Sequence, residues 1–186
     1  LTPIRVVCNN TLTFALQHGG TASFRMPHVR EFGNEVMEAA AEALGLSAER
    51  MTEFREAATL LSKKKAKHAN VLEFIGEVYQ PAIIAERRRN LELKAQGKKI
   101  GEEIPLIDQF NNYPKLAVEA LERQPGANLA SAKGTWWGAL NAVTYVEDHL
   151  RESQQEGNAL HSAWFGAAAN RKANAFELAV EYAKVA

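Results

Sequence analysis

Three neighbouring side chains able to do chemistry, Glu147, Asp148 and His149, stand near the C-terminal end of the chain. With His161 they would form a carboxylate–histidine set of the kind that holds a divalent metal. Adjacent helical residues point in different directions, however. None of the histidines, His18, His28, His68, His149 and His161, lies three or four residues from another, so no two share a helix face. A metal-dependent enzyme is therefore the least supported class. No P-loop, dinucleotide fingerprint, nucleophile elbow or zincin motif is present. The single Cys8 excludes an intramolecular disulfide and a cysteine-based zinc site, and suits the cytoplasm. No cofactor is called for.

The stretch Gly134 to His149 spaces its apolar residues as a helix does, with Thr135 as its cap. Trp136, Leu140, Val143 and Leu150 fall on one face, flanked by Ala139 and Val146, and Glu147 lands in their middle. A buried carboxylate without a partner is costly. Glu147 therefore needs a cation: Arg151 one turn on, or Arg171 or Lys172 from afar. A partly exposed ion pair is the expectation. Asn141, Tyr145 and Asp148 line the opposite side, which reads as a solvated row. Trp136 and Trp137 diverge by one residue's rotation, so one belongs to the core and the other to its boundary, where it would face a partner or stack a base.

Basic residues cluster in three places: Lys63, Lys64, Lys65 and Lys67; Arg87, Arg88 and Arg89; and Arg5, Arg25 and Arg30. Each run alone reads as a solvated face balanced by acids such as Glu86 and Glu92. Together, in a chain of net charge +0, they make phosphate contact worth carrying as an expectation.

The 186 residues are 46% hydrophobic and 24% charged, which suits a globular core, and no run approaches a membrane span. Residues 1–28 read as a β-containing end, with a strand at Ala22–Met26 stopped by Pro27. From 29 to 186 the periodicity is helical, with a loop-rich insertion near 97–113. Met51, Phe54, Ala58 and Leu61 form one stripe. Asn70 with Glu73 resembles a capping pair ahead of Leu72, Ile75, Val78 and Tyr79. Pro81 ends that helix, Ile83–Leu93 forms a charged one, Pro114 opens a short one, and a last helix runs from about Leu160. The fold class expected is α+β, predominantly α-helical. Leu1 in place of Met suggests that further residues precede the chain.

Four segments carry a resemblance. Thr2 to Leu12, including Asn9, Asn10 and Thr11, is similar to the opening stretch of the phage/plasmid-related domain-of-unknown-function family 932. Thr135–Thr144 with Asp148 and His149 resembles that family's tryptophan-rich helix. Ser162–Gly166, with Trp164, resembles its "SAWFG" segment, and Lys172 with Ala175, Leu178 and Ala179 its closing helix. The fit is to the C-terminal half of a typical member. The resemblance implies a phage- or plasmid-encoded protein in a bacterial cytoplasm and carries no catalytic residue. It also implies a remote relation to Rad52-like single-strand annealing proteins, which are oligomers with a basic groove for single-stranded DNA. The expected function is non-catalytic single-stranded DNA binding by a homo-oligomer. The alternative is an interaction protein of a mobile element using Trp136 or Trp137 and Glu147.

Overall fold

The computed structural model describes residues 52–101, 103–151 and 166–185. They form six α-helices, predominantly helical as the periodicity predicts: α1 (52–63), α2 (His68–Tyr79), α3 (Pro81–Ala95), α4 (Asn112–Arg123), α5 (Trp136–Tyr145) and α6 (Ala167–Val185). A 3-10 turn at Leu106–Gln109 precedes α4, and a π turn at Val146–Leu150 follows α5. No strand occurs among the described residues. The expected β segments and Met51 lie outside them, as does the boundary at 28/29. The chain divides into two compact units, Leu1–Thr59 and Leu60–Ala186.

The core of the second unit is built on α5. Trp136, Leu140, Val143 and Val146 are fully buried, as the face predicts. Trp136 meets Phe74 of α2 edge-on at 5.8 Å and Tyr182 of α6 at 5.2 Å, distances at which aromatic pairs attract beyond simple burial. α5 packs on α6 and α4, and α2 on α3, α4 and α6. The side of α6 facing inward is small, with Ala168, Ala169, Ala175, Ala179 and Ala183 all buried. Small residues there let the helix lie close against α5.

Local chemistry explains the breaks. Thr135 caps α5 as expected: its hydroxyl accepts from the Gly138 N–H at 3.2 Å and donates to the Ser131 carbonyl at 2.7 Å. Gly138 is fixed by space, because a Cβ there would sit 2.0 Å from the Ala132 carbonyl oxygen. Gly97, at φ 72°, ends α3 in a Schellman motif, with the Lys98 N–H on the Leu93 carbonyl and the Gly97 N–H on that of Lys94. Between α2 and α3, Gln80 reaches across to brace 109–111: its amide donates to the Gln109 carbonyl and accepts from the Asn111 N–H.

Several expectations are corrected. α2 begins at His68 behind Lys67, so Asn70 lies inside the helix and is not its cap. Its buried stripe is Val71, Phe74, Ile75 and Val78, and the helix starts nearly a full turn earlier than the Asn–Glu pair suggests. α4 opens at Asn112 with Pro114 inside its first turn, where the missing N–H has no intrahelical partner to lose. Leu150 is exposed, because the π turn ends the 3.6-residue period that would bury it.

Candidate functional site: a buried carboxylate cluster and a lysine edge

The π turn decides what the C-terminal end of α5 does. Its hydrogen bonds run from residue i+5 to i, as in Arg151 N–H to Val146 carbonyl at 2.9 Å, and such turns recur at functional sites. Glu147 keeps the inward position that the α-helical face predicts, the wider turn takes Asp148 out of its expected row, and both meet α6. The Glu147 side chain is 0% exposed, and its Oε2 accepts from Arg151 Nη1 at 2.8 Å and from Arg171 Nη1 at 2.9 Å. Two of the three cations predicted for it, Arg151 and Arg171, are therefore used, and the ion pairs are partly exposed on the arginine side only, the carboxylate itself being sealed. Asp148 is no part of a solvated row. Its Oδ1 accepts from the Nζ of Lys172, which is itself 0% exposed, at 2.5 Å.

Two tyrosines complete the cluster. Tyr79 and Tyr113 stack at 6.5 Å with 17° between their planes. The Arg151 guanidinium lies 5.0 Å over the Tyr113 ring, and that of Arg171 lies 5.7 Å from the Tyr79 ring. The order Arg151, Tyr113, Tyr79, Arg171 thus forms a ladder whose two ends share one carboxylate oxygen, with cation–π attraction added at each end. Burial, then the negative charge of Glu147, pushes the Tyr79 phenol far above its ordinary range, so it stays a neutral donor. Glu147 Oε1 and Asp148 Oδ2 are buried without a hydrogen-bond partner. Such atoms are uncommon in folded proteins and cost roughly 1–3 kcal/mol each.

The remaining predicted residues separate. His149 is exposed and packs on the Tyr145 ring at 5.1 Å, while Asp148 is held by Lys172. The described members of the carboxylate–histidine set are thus engaged elsewhere, and no group of three or more potential metal ligands occurs among the described residues. Asn141 is half-buried on α5, and Trp137 sits at the boundary of the core that Trp136 fills. The Arg87–Arg89 run does not form one surface. Arg88 bridges Glu73 and Glu77 and bonds the Tyr182 hydroxyl, and Arg87 donates to the Ile104 carbonyl at 2.7 Å; Arg89 is exposed. Arg5, Arg25, Arg30, Asn9, Asn10, Thr11 and Trp164 lie outside the described residues.

The lysine run gains a member that spacing does not show. An isolated bridge pairs Lys65 with Thr135, and the Trp136 N–H donates to the Lys64 carbonyl at 3.2 Å. Lys65 Nζ donates to the Lys133 carbonyl at 3.2 Å, which brings Lys133 to Lys63, Lys64, Lys65 and Lys67. No carboxylate occurs in residues 57–72 or 123–146, the two segments that meet here. Lys63, Lys65, Lys67 and Lys133 are exposed. Tyr79, Tyr113 and Lys133 were the members that sequence reasoning missed. The run of acid-free residues around Lys133 was a usable signal; nothing local marked the tyrosines.

Fold and site together define a predominantly helical protein with a buried arginine–tyrosine–carboxylate cluster and a lysine-rich edge. Residues 1–164 match the family model described as Domain of unknown function (DUF932), and the chain belongs to that family. No curated protein and no solved structure matches it. No helix among the described residues is long and apolar enough to cross a membrane.

Proposed function

We propose that this chain is a non-catalytic single-stranded DNA-binding protein of a phage or plasmid, working in recombination or replication as a homo-oligomer in the bacterial cytoplasm. The observation that carries this reading is the lysine edge, where Lys133 joins Lys63, Lys64, Lys65 and Lys67 in two segments free of carboxylates. Exposed lysines neutralise phosphates without reading sequence, which suits a protein that must accept any strand. Annealing makes and breaks no covalent bond, so this function asks no catalysis of the buried cluster.

Fluorescence anisotropy with labelled single- and double-stranded oligonucleotides across a salt series tests this. The expected result is a preference for single strands and a log–log salt slope that becomes shallower by about 1.4 in Lys65→Gln/Lys133→Gln. No binding at low salt by the wild-type chain overturns it.

A second reading rests on a different surface. Leu91 and Ile104 are each 52% exposed beside a cleft between α3 and residues 100–109, lined also by Ile83, Ile100 and Gln109. Exposed apolar side chains around a cleft suit a protein-interaction module of a mobile element. Leu91→Glu would then abolish partner capture and leave DNA binding unchanged.

A further inference from the structure

The ladder holds more positive charge than its own carboxylates need. Arg151, Arg171 and Lys172 face Glu147 and Asp148, an excess of one positive charge. Both guanidiniums bond the same oxygen of Glu147, each through Nη1, so they stand side by side. Among the described residues neither makes a further side-chain hydrogen bond through Nε or Nη2. Their side chains are 29% and 25% exposed, while the carboxylate between them is sealed from solvent. The rings of Tyr113 and Tyr79 lie against the two guanidiniums, at 5.0 and 5.7 Å.

Two adjacent, planar, partly exposed guanidiniums held in place by a buried anion and two stacked rings make a rigid fork. A guanidinium is weakly hydrated and presents paired N–H donors that match two oxygens of a tetrahedral oxyanion. Because the fork is already ordered, little conformational entropy is lost when it binds. A net positive charge beside low-dielectric walls strengthens the attraction. The ligand that fits is a compact oxyanion with oxygens at tetrahedral geometry, which offers separate oxygens to the two guanidiniums. We infer that Arg151 and Arg171 form a phosphate-binding fork, separate from the lysine edge. It does not depend on the DNA-binding reading, since a phosphate monoester would occupy it as well as a phosphodiester.

The test follows the Nε–Hε resonances of Arg151 and Arg171 by NMR in the full chain, at constant ionic strength. The probes are inorganic phosphate and an oligothymidylate without terminal phosphates. Saturable shifts of both resonances with inorganic phosphate alone identify a phosphate monoester as ligand. Saturable shifts with the oligothymidylate identify the strand backbone. Arg151→Lys keeps a cation on Glu147 and so keeps the fold, but removes the paired donors; phosphate binding then weakens about tenfold, since charge without the fork is a poorer match. Arg123→Lys, on an exposed pair of α4, leaves binding unchanged. The inference is overturned if neither probe moves the two resonances in a saturable way, or if Arg151→Lys binds phosphate as tightly as the wild type.

Discussion

Two arginine–glutamate–tyrosine networks tie α2 to α6, and they differ in what surrounds them. In the first, Arg88 of α3 bonds Glu73 and Glu77 of α2, and Tyr182 of α6 donates to Glu77 at 2.7 Å. The Arg88 side chain there is 46% exposed and Glu73 38%. In the second, Arg171 of α6 and Arg151 meet a Glu147 that no water reaches, above the stacked Tyr79 and Tyr113. The chemistry is the same, but the cost of an unmet charge is not. In the exposed network water replaces any lost partner, so each pair contributes little. In the buried one nothing replaces it, and every member becomes a condition for the others. The buried network also sits on the family's tryptophan-rich helix, whereas the exposed one is built on the charged helix α3, in which only Ile84 is buried.

The largest effect should follow from removing the shared anion. Glu147→Ala leaves two adjacent guanidiniums without a counter-charge, and a loss of about 3–5 kcal/mol in urea unfolding is expected. If the loss is below about 1 kcal/mol, the two networks are equivalent and the contrast fails. Lys172→Met comes next. It strands Asp148 beside an apolar side chain and should cost about 3 kcal/mol. Adding Asp148→Leu should restore most of that loss, because an apolar pair needs no partner. Gly138→Ala disturbs the buried network without touching a charge. Its Cβ meets the backbone carbonyl of Ala132, which no side-chain rotation relieves, and displacing the start of α5 should cost about 2–3 kcal/mol. A neutral result at 138 would mean that the loop ahead of α5 yields freely.

The sequence carried the helices of the second unit and part of its site, for identifiable reasons. Trp136, Leu140, Val143 and Val146 repeat at the helical period, and a carboxylate in their midst had to find cations, so Arg151 and Arg171 were legible as partners of Glu147. Its depth was not legible, because burial depends on α4 and α6 closing over the π turn. Asp148 was misread for a related reason. The projection assumed 3.6 residues per turn through 150, and one wide turn moved it from a solvated row onto Lys172. Tyr79 and Tyr113 belong to α2 and α4, 34 residues apart in sequence, and only tertiary packing stacks them. Lys133 joined the lysine run through a backbone pairing that no periodicity encodes. Lastly, the Arg87–Arg89 run looked like one basic patch because neighbours in sequence were counted together. On a helix consecutive side chains diverge, and Arg88 alone turns toward α2.

The smallest expected effect belongs to that arginine. Burial pushes the Glu77 carboxyl up, but the hydrogen bonds from Arg88 and Tyr182 outweigh it and hold the group below its ordinary value of 4.5. A carboxyl whose pKa is lowered on folding stabilises the fold above its unfolded pKa, and that stability is lost as pH falls through the folded value. Arg88→Gln should therefore cost about 1 kcal/mol or less at pH 7, since the pair is screened by water. It should also flatten the loss of stability below pH 4.5, because Glu77 then titrates closer to its unfolded value. Urea unfolding at pH 7 and at a series of acid pH values, with NMR titration of the Glu77 side chain, reads both effects. Arg88 reaches Glu77 across a surface where water competes for every bond, so a loss approaching that of Glu147→Ala would show that exposure is not what separates the two networks. A Glu77 titration unchanged by Arg88→Gln would assign the lowered pKa to Tyr182, which donates to the same oxygen from a half-buried position on α6.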